Sequence, residues 1–217
     1  MVVTAEPRLT PVPASPAAAD AVERRAVAAL LACTARHGLA KTTLDDVARE
    51  AGCSRATLYR YFRGKADLVC VTVASEAARL GDALRAAAAG AGSLEDAVVA
   101  LVVTGTRELR AHAALQFMLA HEPELVLPHV AFSRGDDFLA VSAAAVAPAL
   151  APHVGADRAA RAGEWVARFV LAHVLSPLHP LHSIDLTEDT TARALVSEFV
   201  LPGLVGRPSQ PTEPTRG

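Results

Sequence analysis

Apolar residues recur three and four positions apart along almost the whole of this chain, and that period admits helices and little else. Val27, Leu30 and Leu31 with Thr34, or Trp165, Val166, Phe169 and Val170, each line one face of a helical turn. Alternation of the strand type, bounded by turns, is missing, and aromatic residues make up only 4% of the chain, few for a sheet protein. The expected fold class is therefore all-α. With 52% hydrophobic residues over 217 positions, the chain can bury a substantial core in one large or two small domains.

Glycine and proline punctuate this pattern. Gly38, Gly52, Gly64, the 90–92 stretch, Pro123, Pro128, Pro148, Pro152, Gly155, Pro177, Pro180 and the Pro202-Gly203 pair read as breakers. Between them the spacing predicts helices over about 20–37, 43–51, 54–61, 65–89, 94–111, 112–121, 133–150, 156–175 and 188–201. Thr42 or Thr43 can cap the second helix and Ser54 the third. Thr187, Glu188 and Asp189 crowd the start of the last, where carboxylates favour the helix dipole, and Pro202-Gly203 should end it. Residues 1–19 and 206–217 are rich in Pro, Ala, Ser and Thr without periodicity and read as disordered tails.

Several function classes are disfavoured at this level. The formal net charge is −2, so a general affinity for polyanions is not written into the composition and any nucleic-acid contact must be local. Cys33, Cys53 and Cys70 form no CxxC pair and an odd count, which fits a reducing compartment and buried or inert thiols. The N-terminal segment does not read as a signal peptide, and no uncharged apolar run approaches the ~20 residues that cross a bilayer, so a cytoplasmic protein without membrane contact is expected. His173, His179 and His182 lie close together, as His112, His121 and His129 do more loosely, but Pro177 and Pro180 break the first group and no thiolate is near; no metal is expected. GxSxG, P-loop, HExxH and GxGxxG are all missing, so neither an enzyme nor a cofactor is expected.

Residues 52–65, GCSRATLYRYFRGK, depart from their Ala-, Val- and Leu-rich surroundings: three arginines, a lysine and two tyrosines occur without an acid. Two short helices joined at Gly52 suggest a helix-turn-helix. Ala48 is small enough for a close crossing, Gly52 can take the positive φ of the turn, and Val47 and Leu58 supply the apolar contact. At ~100° per residue, Leu58 and Phe62 fall on one side of the third helix, and Ala56, Thr57 and Arg60 on the other. Such a helix fits the major groove, where Arg donates two bonds to guanine and Ala or a Thr methyl touches thymine. Arg60 and Arg55 are thus the candidates for reading bases, with Thr57 and Ala56 in support. Tyr59, Tyr61, Lys65, the Thr43 hydroxyl and the exposed N–H groups at the helix starts, Ser54 among them, are placed for phosphates.

The stretch TTLDDVAREAGCSRATLYRYFRGKADLV, residues 42–69, resembles the DNA-binding signature of the TetR family of bacterial transcriptional regulators. The Thr-Thr start, the Ala-Gly turn, the Thr-Leu-Tyr triplet and the Lys after Gly64 carry the resemblance; Cys53, where the family usually has Val, departs from it. The resemblance implies a homodimer that binds a palindromic operator, most often as a repressor, with Arg55, Ala56, Thr57 and Arg60 at base-reading positions and Thr43, Tyr59, Tyr61 and Lys65 facing phosphates. It implies a DNA-binding domain over 20–66 and a helical effector-binding and dimerisation domain over 67–205.

Within that second domain, Phe117, Met118, His121, Phe132, Trp165, Phe169 and His173 are the bulkiest or most polarisable groups among small aliphatics, and are expected to line a pocket for an apolar or amphipathic effector. Val166, Val170, Leu195, Phe199 and Val200 are expected at the dimer interface. The competing readings are a non-specific architectural DNA-binding protein, which the charge balance disfavours, and an enzyme on a helical fold.

Overall fold

The computed structural model describes residues 16–130, 135–175 and 184–205, and every regular element among them is helical. One long helix, two short ones and the start of a second long one enclose a first core. They are α1 (Pro16–His37), α2 (Leu44–Glu50), α3 (Arg55–Tyr61) and α4 (Lys65–Ala88). Ala26, Ala29 and Leu30 from α1 meet Val47 and Ala48 from α2, Leu58 from α3 and Leu68 from α4. The first helix begins four residues earlier than its apolar pattern suggests, with Pro16 in the first helical position, where a missing N–H costs no bond.

The second core lies between α4, α5 (Leu94–Ala111), α8 (Gly135–Val154), α9 (Ala156–Leu175) and α10 (Asp189–Leu195), with α6 (Ala113–His121) and α7 (Pro123–Val130) leading back to α1. Gly155, at φ 80°, turns the chain between α8 and α9. At their crossing a Cβ on Gly163 would stand 2.9 Å from the Ala143 carbonyl oxygen, so only glycine permits that approach. Arg193 of α10 pairs with Glu95 at 3.1 Å and Asp96 at 3.0 Å, fixing the last helix to the start of α5.

Proline misleads the sequence reading in three places. Pro123 does divide two helices, since it opens α7, but Pro128 lies within α7 instead of ending it. α8 runs through Pro148 and Pro152 to Val154, four residues past its expected end. Both prolines are exposed, as is Ala144, whose carbonyl loses its bond to Pro148 and can turn to water. After α10 the chain takes a π turn over Val196–Val200 and stays helical over Leu201–Val205, so Pro202-Gly203 does not end it. Of the thiols, Cys33 is buried and Cys53 half-buried, but Cys70 is exposed on α4.

Candidate nucleic-acid interface

The second helix starts where the sequence says it can. Thr43 is its N-cap: the hydroxyl accepts the Asp46 N–H at 3.2 Å, while Asp46 accepts the Thr43 N–H at 3.0 Å. Thr42 is buried instead and donates to the Gly38 carbonyl at 2.6 Å. The Thr43 hydroxyl also donates to Asp46 at 2.6 Å, so in the free protein its proton is already engaged. These two bonds from Thr43, with Arg49 beside them, lower the Asp46 carboxyl to about 2. Because the folded value is depressed, the contribution of this box is present above the unfolded Asp value near ~3.9 and is lost as pH falls through about 2. An NMR titration should therefore place the Asp46 midpoint near 2 and, in Thr43→Ala, move it up toward an ordinary carboxylate. A midpoint already ordinary in the intact protein would show that the capping box is open in solution.

Ala51 ends α2, and Gly52 at φ 63° makes the turn. Ser54 caps α3, accepting the Thr57 N–H at 3.1 Å. The division of α3 into two sides is as its angles require: Leu58 is 0% and Phe62 3% exposed, while Ala56 and Arg60 face outward and Thr57 is half-buried with its hydroxyl 2.9 Å from Ser54 Oγ.

The two arginines proposed as base readers stand in different states. Arg55 is held by Asp45 at 3.0 Å and by the Tyr59 hydroxyl at 3.3 Å; Tyr59 first and Asp45 second raise its pKa. That pair is exposed on both sides, so it is weak and open to exchange for a DNA acceptor. Arg60 lies over the Tyr61 ring at 5.2 Å and makes no ion pair among the described residues. Tyr59 is exposed and Tyr61 half-buried against the first core. Lys65 is not a free phosphate ligand: its ammonium donates to the Leu39 carbonyl at 2.5 Å and the Ala40 carbonyl at 3.3 Å, leaving one of three donors. Lys41, exposed just before the Thr-Thr start, is a cation at this edge that sequence reasoning passed over, since a lone lysine carries no pattern.

The residues expected to line an effector pocket are not gathered. Phe117 and His121 stack on each other in α6 at 4.3 Å, Met118 is half-buried on the same helix, and Phe132 lies outside the described residues. Phe169 and His173 contact one another on α9 at 4.5 Å, with Phe169 packed on the second core. Trp165 is 65% exposed and borders an open cleft beside Ala162 and Leu204, apart from the other described candidates. An apolar cavity of about 50 Å³ does exist between α4, α5, α8 and α9, bounded by Leu84, Leu101, Gly105, Val146, Val166 and Val170. Val166 and Val170 thus belong to the core rather than to a subunit interface, at 3% and 6% exposure. Leu195 and Val200 also pack on that core, whereas Phe199 is exposed.

The tetR family model of bacterial regulatory proteins matches residues 26–70, which span most of α1, all of α2 and α3, and the first residues of α4. Two HTH-type transcriptional regulators of Mycobacterium tuberculosis strains, both uncharacterized, are 28% identical over 161 residues, covering 73% of this chain and 73% of theirs. Among solved structures, the TetR family repressor AlkX from Dietzia sp. superposes with a TM-score of 0.63 at 20% identity, over 88% of this chain and 95% of its own. The fatty acid degradation regulator FadR from Bacillus halodurans does so at 0.58 and 20%, over 91% and 98%. A helix-turn-helix with an outward basic face lies inside the segment that matches the tetR model, so the chain carries a TetR-type DNA-binding region, that of a DNA-binding transcriptional regulator.

Proposed function

We propose that the protein is a homodimeric repressor that recognises a palindromic operator and is released from it by an apolar small molecule. The observation that carries this is the outward face of α3, where Ala56 and an arginine without an ion pair among the described residues, Arg60, stand clear of a fully buried Leu58. In this reading residues 20–66 bind DNA and residues 67–205 sense the effector and pair the subunits, within the cytoplasm. No helix among the described residues is long and apolar enough to cross a membrane, in keeping with that placement.

Dimerisation is supported by two large apolar side chains left in water. Trp165 of α9 and Phe199 of the π turn are 65% and 64% exposed, and beside Trp165 a cleft of about 210 Å³ is bounded by Arg158, Arg161, Ala162, Gly203 and Leu204. Covering them with a second copy would remove that surface from water. These residues replace Val166 and Val170 as the proposed contacts. An apolar effector is supported by the lining of the small cavity, which is aliphatic apart from the Ser142 hydroxyl. AlkX is implicated in n-alkane biodegradation, but a 20% likeness carries the fold alone, and the aliphatic lining is what supports an apolar ligand here. Binding that enlarges this cavity would move α4, which begins at Lys65 beside the DNA-binding helices, and so favour a state whose recognition helices miss successive major grooves about 34 Å apart.

Selection of binding sites from random duplexes, followed by competition at one fixed salt concentration, tests the proposal. The selected site should be a two-fold repeat bound at least ~10³ more tightly than random DNA. Equal affinity for both would leave the architectural alternative instead.

A further inference from the structure

We infer that Glu122 is a positioning residue that couples the end of α6 to the DNA-binding helices. Its side chain is 8% exposed, and the carboxylate accepts two backbone N–H groups, Leu39 at 2.7 Å and Ala40 at 3.1 Å, from residues 83 and 82 positions away. Both amides lie in the short loop between α1 and α2. The Lys65 ammonium holds the carbonyls of the same two residues from the other side. The loop is thus gripped at its donors by the second domain and at its acceptors by α4.

The contact is built closely. Gly38 has φ 90°, and a Cβ there would stand 2.3 Å from Glu122 Oε1 and 3.0 Å from Phe117, so glycine both makes the bend and admits the carboxylate. Glu122 is itself fixed in the backbone, donating to the Met118 carbonyl at 2.8 Å and accepting from Leu125 at 3.0 Å across the α6–α7 junction. Movement of that junction therefore carries the carboxylate with it. The loop leads through Thr42, bonded back to Gly38, straight into the Thr43 cap of α2. A shift at α6 reaches α2 and α3 through charge-assisted bonds that are costly to leave unmade in a buried place.

The inference rests on operator binding, and its test uses the full chain with the selected operator duplex. Hydrogen exchange is followed in the intact protein and in Glu122→Gln, which keeps the side-chain volume and one acceptor. In the intact protein, operator should slow exchange both at α2–α3 and at 113–130. In Glu122→Gln the slowing at α2–α3 should remain while that at 113–130 is lost. Operator affinity should drop about tenfold, a usual size for coupling between sites, with binding to random DNA changed by less than about twofold. Gly38→Ala, which attacks the same contact from the loop side, should repeat the pattern. A purely structural Glu122 would lower the unfolding midpoint yet leave the operator's effect at 113–130 intact, which overturns the inference. So would an intact protein whose 113–130 exchange ignores operator while α2–α3 is protected, a result that needs no variant. If α2–α3 were unprotected as well, operator binding would fall and this inference with it.

Discussion

Leu58→Ala should destabilise the DNA-binding domain by about 2–5 kcal/mol, the cost of deleting a buried leucine and leaving its cavity. Leu58 is 0% exposed and is the only buried residue within α3 itself; Phe62, its C-cap, is the other anchor. A helix of seven residues has no stability of its own in water, so α3 keeps its place only through what it packs against. It shares its core with Val47 and Ala48 from α2, Ala26 and Leu30 from α1, and Leu68 from α4. Urea unfolding followed by circular dichroism measures the loss, and operator affinity should fall with it, because the outward residues depend on the inward one. An unchanged midpoint would mean that α3 is anchored elsewhere.

The DNA-binding half was legible because its signals are local. Thr43, Gly52 and Ser54 act within three or four residues of themselves, and a 100° step separates Leu58 and Phe62 from Arg60 without knowledge of the rest of the fold. The second domain gave way where information is not local. In helices made of Ala, Val and Leu, bulk does not reveal which side faces a cavity, and Trp165, the bulkiest side chain of α9, is 65% exposed. In sequence, proline signals a break, yet Pro148 and Pro152 sit on a face of α8 where water can take the freed carbonyls. Glu122 showed nothing in sequence because its partners are more than eighty positions away. A separation of 26 and 25 positions likewise hid the Leu39 and Ala40 carbonyls from the reading of Lys65.

Arg60→Ala should cost about 1–3 kcal/mol for each half-site of the operator and relax the preference for one base pair, without disturbing the fold. The side chain is exposed, and among the described residues its one ring contact is with Tyr61, so no core packing is lost. Arg55 makes the useful contrast, since it gives up Asp45 and Tyr59 to reach a base and its net gain on DNA is reduced by that exchange. Truncating Arg60 should therefore lose more specificity than truncating Arg55. Lys65→Ala should act differently, weakening binding to all sequences and flattening the salt slope, as loss of a phosphate contact does. It should also loosen the loop by freeing the Leu39 and Ala40 carbonyls. Competition between the selected site and single-base variants, repeated at several salt concentrations, separates these outcomes. If Arg60→Ala bound the selected site as tightly as the intact protein, base reading would have to be reassigned to Arg55 and its neighbours on α3.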